Sequence, residues 1–115
     1  MADRPKFVDQ LTAQWEQGKF VCVGLDPDIK RIPPHIIAQT LDNQSDTIFR
    51  FNREIVDATA DTVLAYKPNS AFYESLGATG LDALWRTVTY IHNTYRTIPV
   101  ILDAKRGDIG NTNAG

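Results

Sequence analysis

Cysteine is nearly absent from this sequence. Cys22 stands alone among 115 residues, so no disulfide can form within the chain. Its neighbours Val21 and Val23 mark it as a buried strand thiol rather than a nucleophile, and a reducing compartment is the expectation. An excess of charge is missing too. Twelve Lys and Arg against fourteen Asp and Glu leave a net charge of -2, which provides no basic field for nucleic acid or an anionic membrane; an anionic small molecule must be held by local groups. No apolar run approaches the length of a membrane span, and the opening MADRPKFVDQ lacks the hydrophobic core of a signal peptide. The expectation is a soluble, cytoplasmic protein. Low-complexity stretches and long linkers are also lacking, so residues 1–115 read as belonging to a single domain.

What is present is an alternation of apolar periods. Phe7, Val8, Leu11 and Trp15 recur at helical spacing before Gly18, predicting a short amphipathic helix. FVCVGL is a β-favouring run closed by Asp26-Pro27-Asp28. Residues 29–43, with Pro33 and Pro34, read as a loop containing one helical turn. Ser45, Asp46 and Thr47 offer caps for a helix through Ile48, Phe51, Ile55 and Thr59, with Arg50 and Glu54 placed to pair. TVLAYK supplies a second strand, closed by Pro68-Asn69. Leu81, Leu84, Trp85, Val88, Ile91, His92 and Tyr95 form the apolar stripe of a long helix, and residues 99–103 give a third strand. Strands alternating with helices predict an α/β fold with parallel strands joined by crossover helices.

Each strand ends in charge: Asp26 on the first, Lys67 on the second, Asp103 and Lys105 on the third. In parallel α/β folds this is the edge where sites are built. Strand alternation puts Cys22 and Gly24 on the face of Asp26, Val63 and Ala65 on that of Lys67, and Ile101 on that of Asp103. It turns Val21, Val23, Leu25, Leu64, Tyr66, Val100 and Leu102 toward the helices. The small inner residues fit a barrel, and an open doubly wound sheet would show similar runs. In VILDAKRGDIGNT, Asp103 and Asp108 bracket the Lys105 ammonium, favouring its charged form while burial opposes it. Such a lysine can donate a proton where a carbanion develops. A structural ion-pair network is the alternative, and the convergence of Asp26 and Lys67 on the same edge favours a site. His92, His35, Asp28 and Arg106 read as packing, loop or turn residues, as do Asn69, Ser70 and the Phe72-Tyr73 pair.

VCVGLDPD (residues 21–28), AYKPNSAFYE (65–74) and LDAKRGDIGNT (102–112) together resemble the amino-terminal part of the orotidine 5'-phosphate decarboxylase family, in its bacterial long-loop subgroup. The resemblance implies a partial (β/α)8 TIM barrel comprising the first three strands with their helices. It also implies cofactor-free decarboxylation of orotidine 5'-phosphate to UMP in pyrimidine biosynthesis. By the same resemblance Lys105 stabilises and protonates the carbanion, Asp103 orients it beside the departing carboxylate, and Asp26 and Lys67 bind ribose hydroxyls, Lys67 also bridging to Asp103. Ile109 joins the substrate-binding residues, and Asp108 and Thr112 act in trans across a homodimer. No metal and no cofactor are implied. Magnesium-dependent sugar-phosphate decarboxylases and synthases of the superfamily share the DxKxxD pattern, but a lysine at position 67 cannot supply an oxygen ligand and would repel a cation.

A complete barrel of this kind needs about 250 residues. The 115 residues are therefore expected to be a truncated part of one barrel domain, with an inactive fragment or one piece of a split enzyme as the alternatives.

Overall fold

The computed structural model describes residues 7–40 and 43–102. Asp103, Lys105, Asp108, Ile109 and Thr112 lie outside the described residues, as does Arg106. The order is α1 (Phe7–Glu16), β1 (Val21–Gly24), a 3-10 turn (Ile29–Arg31), α2 (Pro34–Thr40), α3 (Gln44–Thr59), β2 (Val63–Lys67), α4 (Ser70–Glu74) and α5 (Gly77–Thr94). β1 and β2 pair in parallel. The third strand segment joins β2 through a parallel bridge between Tyr66 and Val100, in which the Tyr66 N–H donates to the Pro99 carbonyl (3.1 Å) and Ile101 N–H to the Tyr66 carbonyl (2.8 Å). Among the described residues no helix is long and apolar enough to cross a membrane.

The elements begin and end where local chemistry dictates. Pro34 opens α2, where its missing N–H costs nothing, so part of the expected loop becomes a seven-residue helix that carries His35 and buries Ile36 and Thr40. α3 starts earlier than the Ser-Asp-Thr run suggests, because the Asn43 side chain accepts from Asp46 N–H. Gly18 follows α1 with φ 81°, the left-handed stop that glycine permits.

Strict alternation fails at one place. Val21 pairs with Val63 and Cys22 with Ala65, leaving Leu64 without a partner. This bulge changes the phase of β2. Val63, expected on the face of Lys67, instead joins Tyr66 on the helix side, in a core with Leu25, Val56, Ala60, Ile91 and Ile98. Leu64 lines a hollow with Leu11, Thr12 and Trp15. Cys22 is exposed rather than buried, and so is Val21 at 61%, although alternation turns Val21 toward the helices; among the described residues β1 is an edge strand with β2 on one side only. Leu102 is likewise exposed, whereas Val100 packs on the helix-side core as alternation requires.

One helix buries a face other than its most apolar one, and a second leaves part of its apolar stripe outside. α1 docks by its amides: Gln14 Nε2 donates to the Val63 carbonyl (2.9 Å) and Gln10 Nε2 to the Arg96 carbonyl (2.8 Å). Backbone carbonyls at these positions need donors. Phe7, Val8 and Trp15 are left exposed, with Trp15 edge-on to Phe20 at 4.4 Å. α5 buries Gly80, Ala83, Leu84, Thr87 and Ile91, so Leu81 and Trp85 of the apolar stripe face out, Trp85 at 71% exposure. The small residues decide this, since they let α4 and α3 approach. Arg86 of α5 bonds Asp46 of α3 at 2.5 Å and covers the Phe49 ring at 4.6 Å. Arg50 binds Gln39, and Glu54 lies 3.9 Å from His35, so the expected Arg50–Glu54 pair does not form.

A glycine inside an exposed helix costs about 1 kcal/mol relative to alanine. At Gly80 the sign reverses: an added β-carbon would overlap the Tyr73 carbonyl oxygen and lie 2.7 Å from Leu76 Cβ. Gly80→Ala should therefore destabilise the protein by about 2 kcal/mol, read as a lowered urea midpoint; a raised midpoint would show that α4 and α5 can separate without cost.

Candidate active site

The carboxyl ends of β1 and β2 deliver Asp26 and Lys67 to one edge, both exposed. Their separation is set by the parallel ladder, in which Gly24 pairs with Lys67 and Leu25 N–H reaches the Lys67 carbonyl at 3.4 Å. Gly24 lies beside both groups: a β-carbon there would stand 3.9 Å from Asp26 Oδ2 and from the Lys67 carbonyl, an ordinary contact distance. Asp26 is tied to the second strand's loop as well: its Oδ1 accepts from Asn69 N–H at 2.7 Å.

Behind the edge is a buried polar network. Asn52 of α3, Tyr73 of α4 and Thr87 of α5 are each at most 1% exposed. Asn52 Nδ2 donates to the Tyr73 hydroxyl (3.0 Å) and to Thr87 Oγ1 (3.1 Å), and Thr87 Oγ1 donates to the Ala83 carbonyl (2.8 Å). The Tyr73 hydroxyl donates to the Leu25 carbonyl, one residue before Asp26. Asn52 Oδ1 has no hydrogen-bond partner among the described residues. A cavity of about 330 Å³ lies here, lined by residues that include Leu25, Asp26, Pro27 and Asn52.

Two of the expected site residues, Asp26 and Lys67, are thus brought to one edge; the other five lie outside the described residues. Sequence reading gives Asn69 and Ser70 to loop shaping and Tyr73 to packing. The structure adds more: Asn69 caps α4 by accepting from Ala71 N–H (3.0 Å), and its N–H holds Asp26. An asparagine directly after a proline, at the start of a short run of helix-compatible residues, is an N-cap signal that could have found it. Tyr73 left no such sign, because a phenol's partner depends on tertiary contact.

Parallel strands joined by crossover helices, with charged residues at their carboxyl ends, place this chain among α/β proteins that build sites on that edge. Residues 19–115 match the model of the Orotidine 5'-phosphate decarboxylase / HUMPS family, and the chain belongs to that family. It is 58% identical over 95 residues to the orotidine 5'-phosphate decarboxylase of Bacteroides fragilis, covering 83% of this chain and 33% of that protein. It is 49% identical over 106 residues to that of Flavobacterium johnsoniae, covering 91% of this chain and 37% of that protein. Among solved structures, Leishmania donovani OMP decarboxylase superposes with a TM-score of 0.69 at 33% identity, over 93% of this chain and 36% of that one. The chain spans about a third of the length of the curated relatives it matches.

Burial pushes the Tyr73 phenol well above its ordinary range; the Asn52 hydrogen bond opposes the rise and the Asp26 charge adds to it. The unfolded phenol gives up its proton near pH 10.0 while the folded one keeps it. The stabilising contribution is therefore complete below that pH and is lost as the pH climbs toward the folded value, at a limiting slope of about 1.4 kcal/mol per pH unit. Tyr73→Phe should flatten the fall in urea midpoint between about pH 9 and 11, and the raised Tyr66 should leave a residual slope. An unchanged slope would mean that Tyr73 titrates as it does unfolded.

Proposed function

We propose that this protein decarboxylates orotidine 5'-phosphate to UMP, without metal or cofactor, as a cytoplasmic homodimer of the complete barrel. The observation that carries the reading is the lysine at position 67, set beside Asp26 at neighbouring strand ends. In a magnesium-dependent relative that position must offer oxygen to a hard cation; an ammonium offers none and repels the ion. A charged lysine suits an anionic nucleotide and an alternating chain of charge.

In this reading Asp26 and Lys67 take the ribose hydroxyls and Lys67 also faces Asp103. Lys105 lies where the pyrimidine carbon gains charge as carbon dioxide leaves, stabilises that carbanion and then protonates it. Ile109 lines the substrate, and Asp108 and Thr112 serve the partner's site. A vinylic carbanion without an electron sink asks for a barrier reduction near the upper end of the roughly 8–23 kcal/mol that enzymes supply. Fixed charge in a site emptied of water is the physical source of that reduction. Support comes from the matching motifs in residues 19–115 and from relatives named for this activity.

In the full-length protein, Lys105→Ala should abolish release of carbon dioxide while leaving UMP binding detectable by calorimetry, and treatment with a chelator should cost no activity. Near-normal turnover of the variant removes Lys105 from the chemistry, and a chelator loss restored by magnesium transfers the protein to the sugar-phosphate enzymes. For the dimer, mixing Asp108→Ala subunits with Lys105→Ala subunits should restore activity, because one site of each heterodimer regains both residues. No recovery despite verified subunit exchange would put Asp108 in its own chain's site.

A further inference from the structure

A carboxylate that selects a sugar hydroxyl must be held in place before the sugar arrives, or the hydrogen bond is spent on ordering the side chain. Asp26 is exposed, so core packing does not hold it. Three contacts from the second strand, the turn after it and α4 do. Leu25 N–H meets the Lys67 carbonyl at 3.4 Å. The Leu25 carbonyl accepts the Tyr73 hydroxyl. Asp26 Oδ1 accepts Asn69 N–H at 2.7 Å. Oδ2 has no partner among the described residues and remains available as an acceptor.

The two side chains behind these contacts are fixed in turn. Asn69, at φ -94° and ψ 108°, bonds its carboxamide to Ala71 N–H, and this cap aims its own N–H at Asp26. Tyr73 is fully buried, and Asn52, itself anchored by Thr87, donates to its hydroxyl. We propose that Asn69 and Tyr73 are positioning residues, which clamp Asp26 so that its free carboxylate oxygen selects a ribose over a deoxyribose ligand. The inference rests on the reading above in which Asp26 takes a ribose hydroxyl.

The test uses the full-length protein and calorimetric binding of UMP against its 2'-deoxy and 3'-deoxy analogues. A hydrogen bond to a charged acceptor should give the wild type a preference of about tenfold or more for UMP over one of the analogues. Asp26→Ala should erase it. Tyr73→Phe and Asn69→Ala should each cut the preference by about threefold or more, and Asn69→Ser, which keeps a capping oxygen, should restore it. Loss of affinity for ribose and deoxyribose ligands alike would mean a structural role and overturn the clamp. Wild-type discrimination that survives Asp26→Ala, or no discrimination at all, would instead overturn the assignment of Asp26 and the clamp with it. If Asp26→Ala erases the preference but Tyr73→Phe preserves it, the clamp alone is wrong. Tyr73→Phe removes one hydroxyl from an otherwise filled space, so it decides the matter even where Asn69→Ala does not fold.

Discussion

The hydroxyl of Tyr73 is the point on which the described structure turns. It accepts from α3 through Asn52 and donates to the end of β1 through Leu25, so one buried oxygen ties two layers of the fold together. A buried phenol without partners would be costly, and its network therefore holds α3, α4 and α5 to one arrangement. Gly80 belongs to the same requirement. It lets α5 run against the backbone carbonyl of Tyr73, so α4 and α5 pack closely at the residue that carries the phenol.

The order of elements was legible because apolar period and turn chemistry agree along the chain: Asp26-Pro27 ends one strand, Pro68-Asn69 the next, and Gly18 stops α1. The charged strand ends were legible for the same reason. Faces were less so. In α1 the most apolar stripe is not the buried one, because Gln10 and Gln14 satisfy carbonyls that Phe7 and Val8 could not; in α5 Leu84 and Ile91 of the stripe are buried, but Leu81 and Trp85 give way to Gly80 and Ala83, which admit a neighbour that larger residues would push away. Hydrophobicity counts transfer from water; it does not count orphaned backbone groups or the distance of closest approach. The hold on Asp26 was hidden for a related reason, since its donor is a backbone N–H present at nearly every position and aimed by a side chain two bonds away.

Charge placement divides the chemistry open to this edge. A carboxylate and an ammonium at adjacent strand ends give a dipole across the mouth of the barrel, with one group accepting and the other donating. Replacing the ammonium by a carboxylate would leave two anions facing each other and invite a divalent ion to join them. In the proposed reading, one residue at the end of β2 thus separates a site that works by fixed charge from one that would work by metal.

The unpaired Leu64 makes β2 a strand spliced from two phases. Removing that one residue would leave Val63 opposite Val21 and Ala65 opposite Cys22, so both faces would keep their present occupants. Removing Ala65 instead would close the same bulge but set Leu64 opposite Cys22, a bulky side chain where a fully buried alanine now stands. The bulge therefore gives β2 one residue of slack, which a deletion can take up without moving Lys67 from its place opposite Gly24, and the cost falls on packing rather than on register.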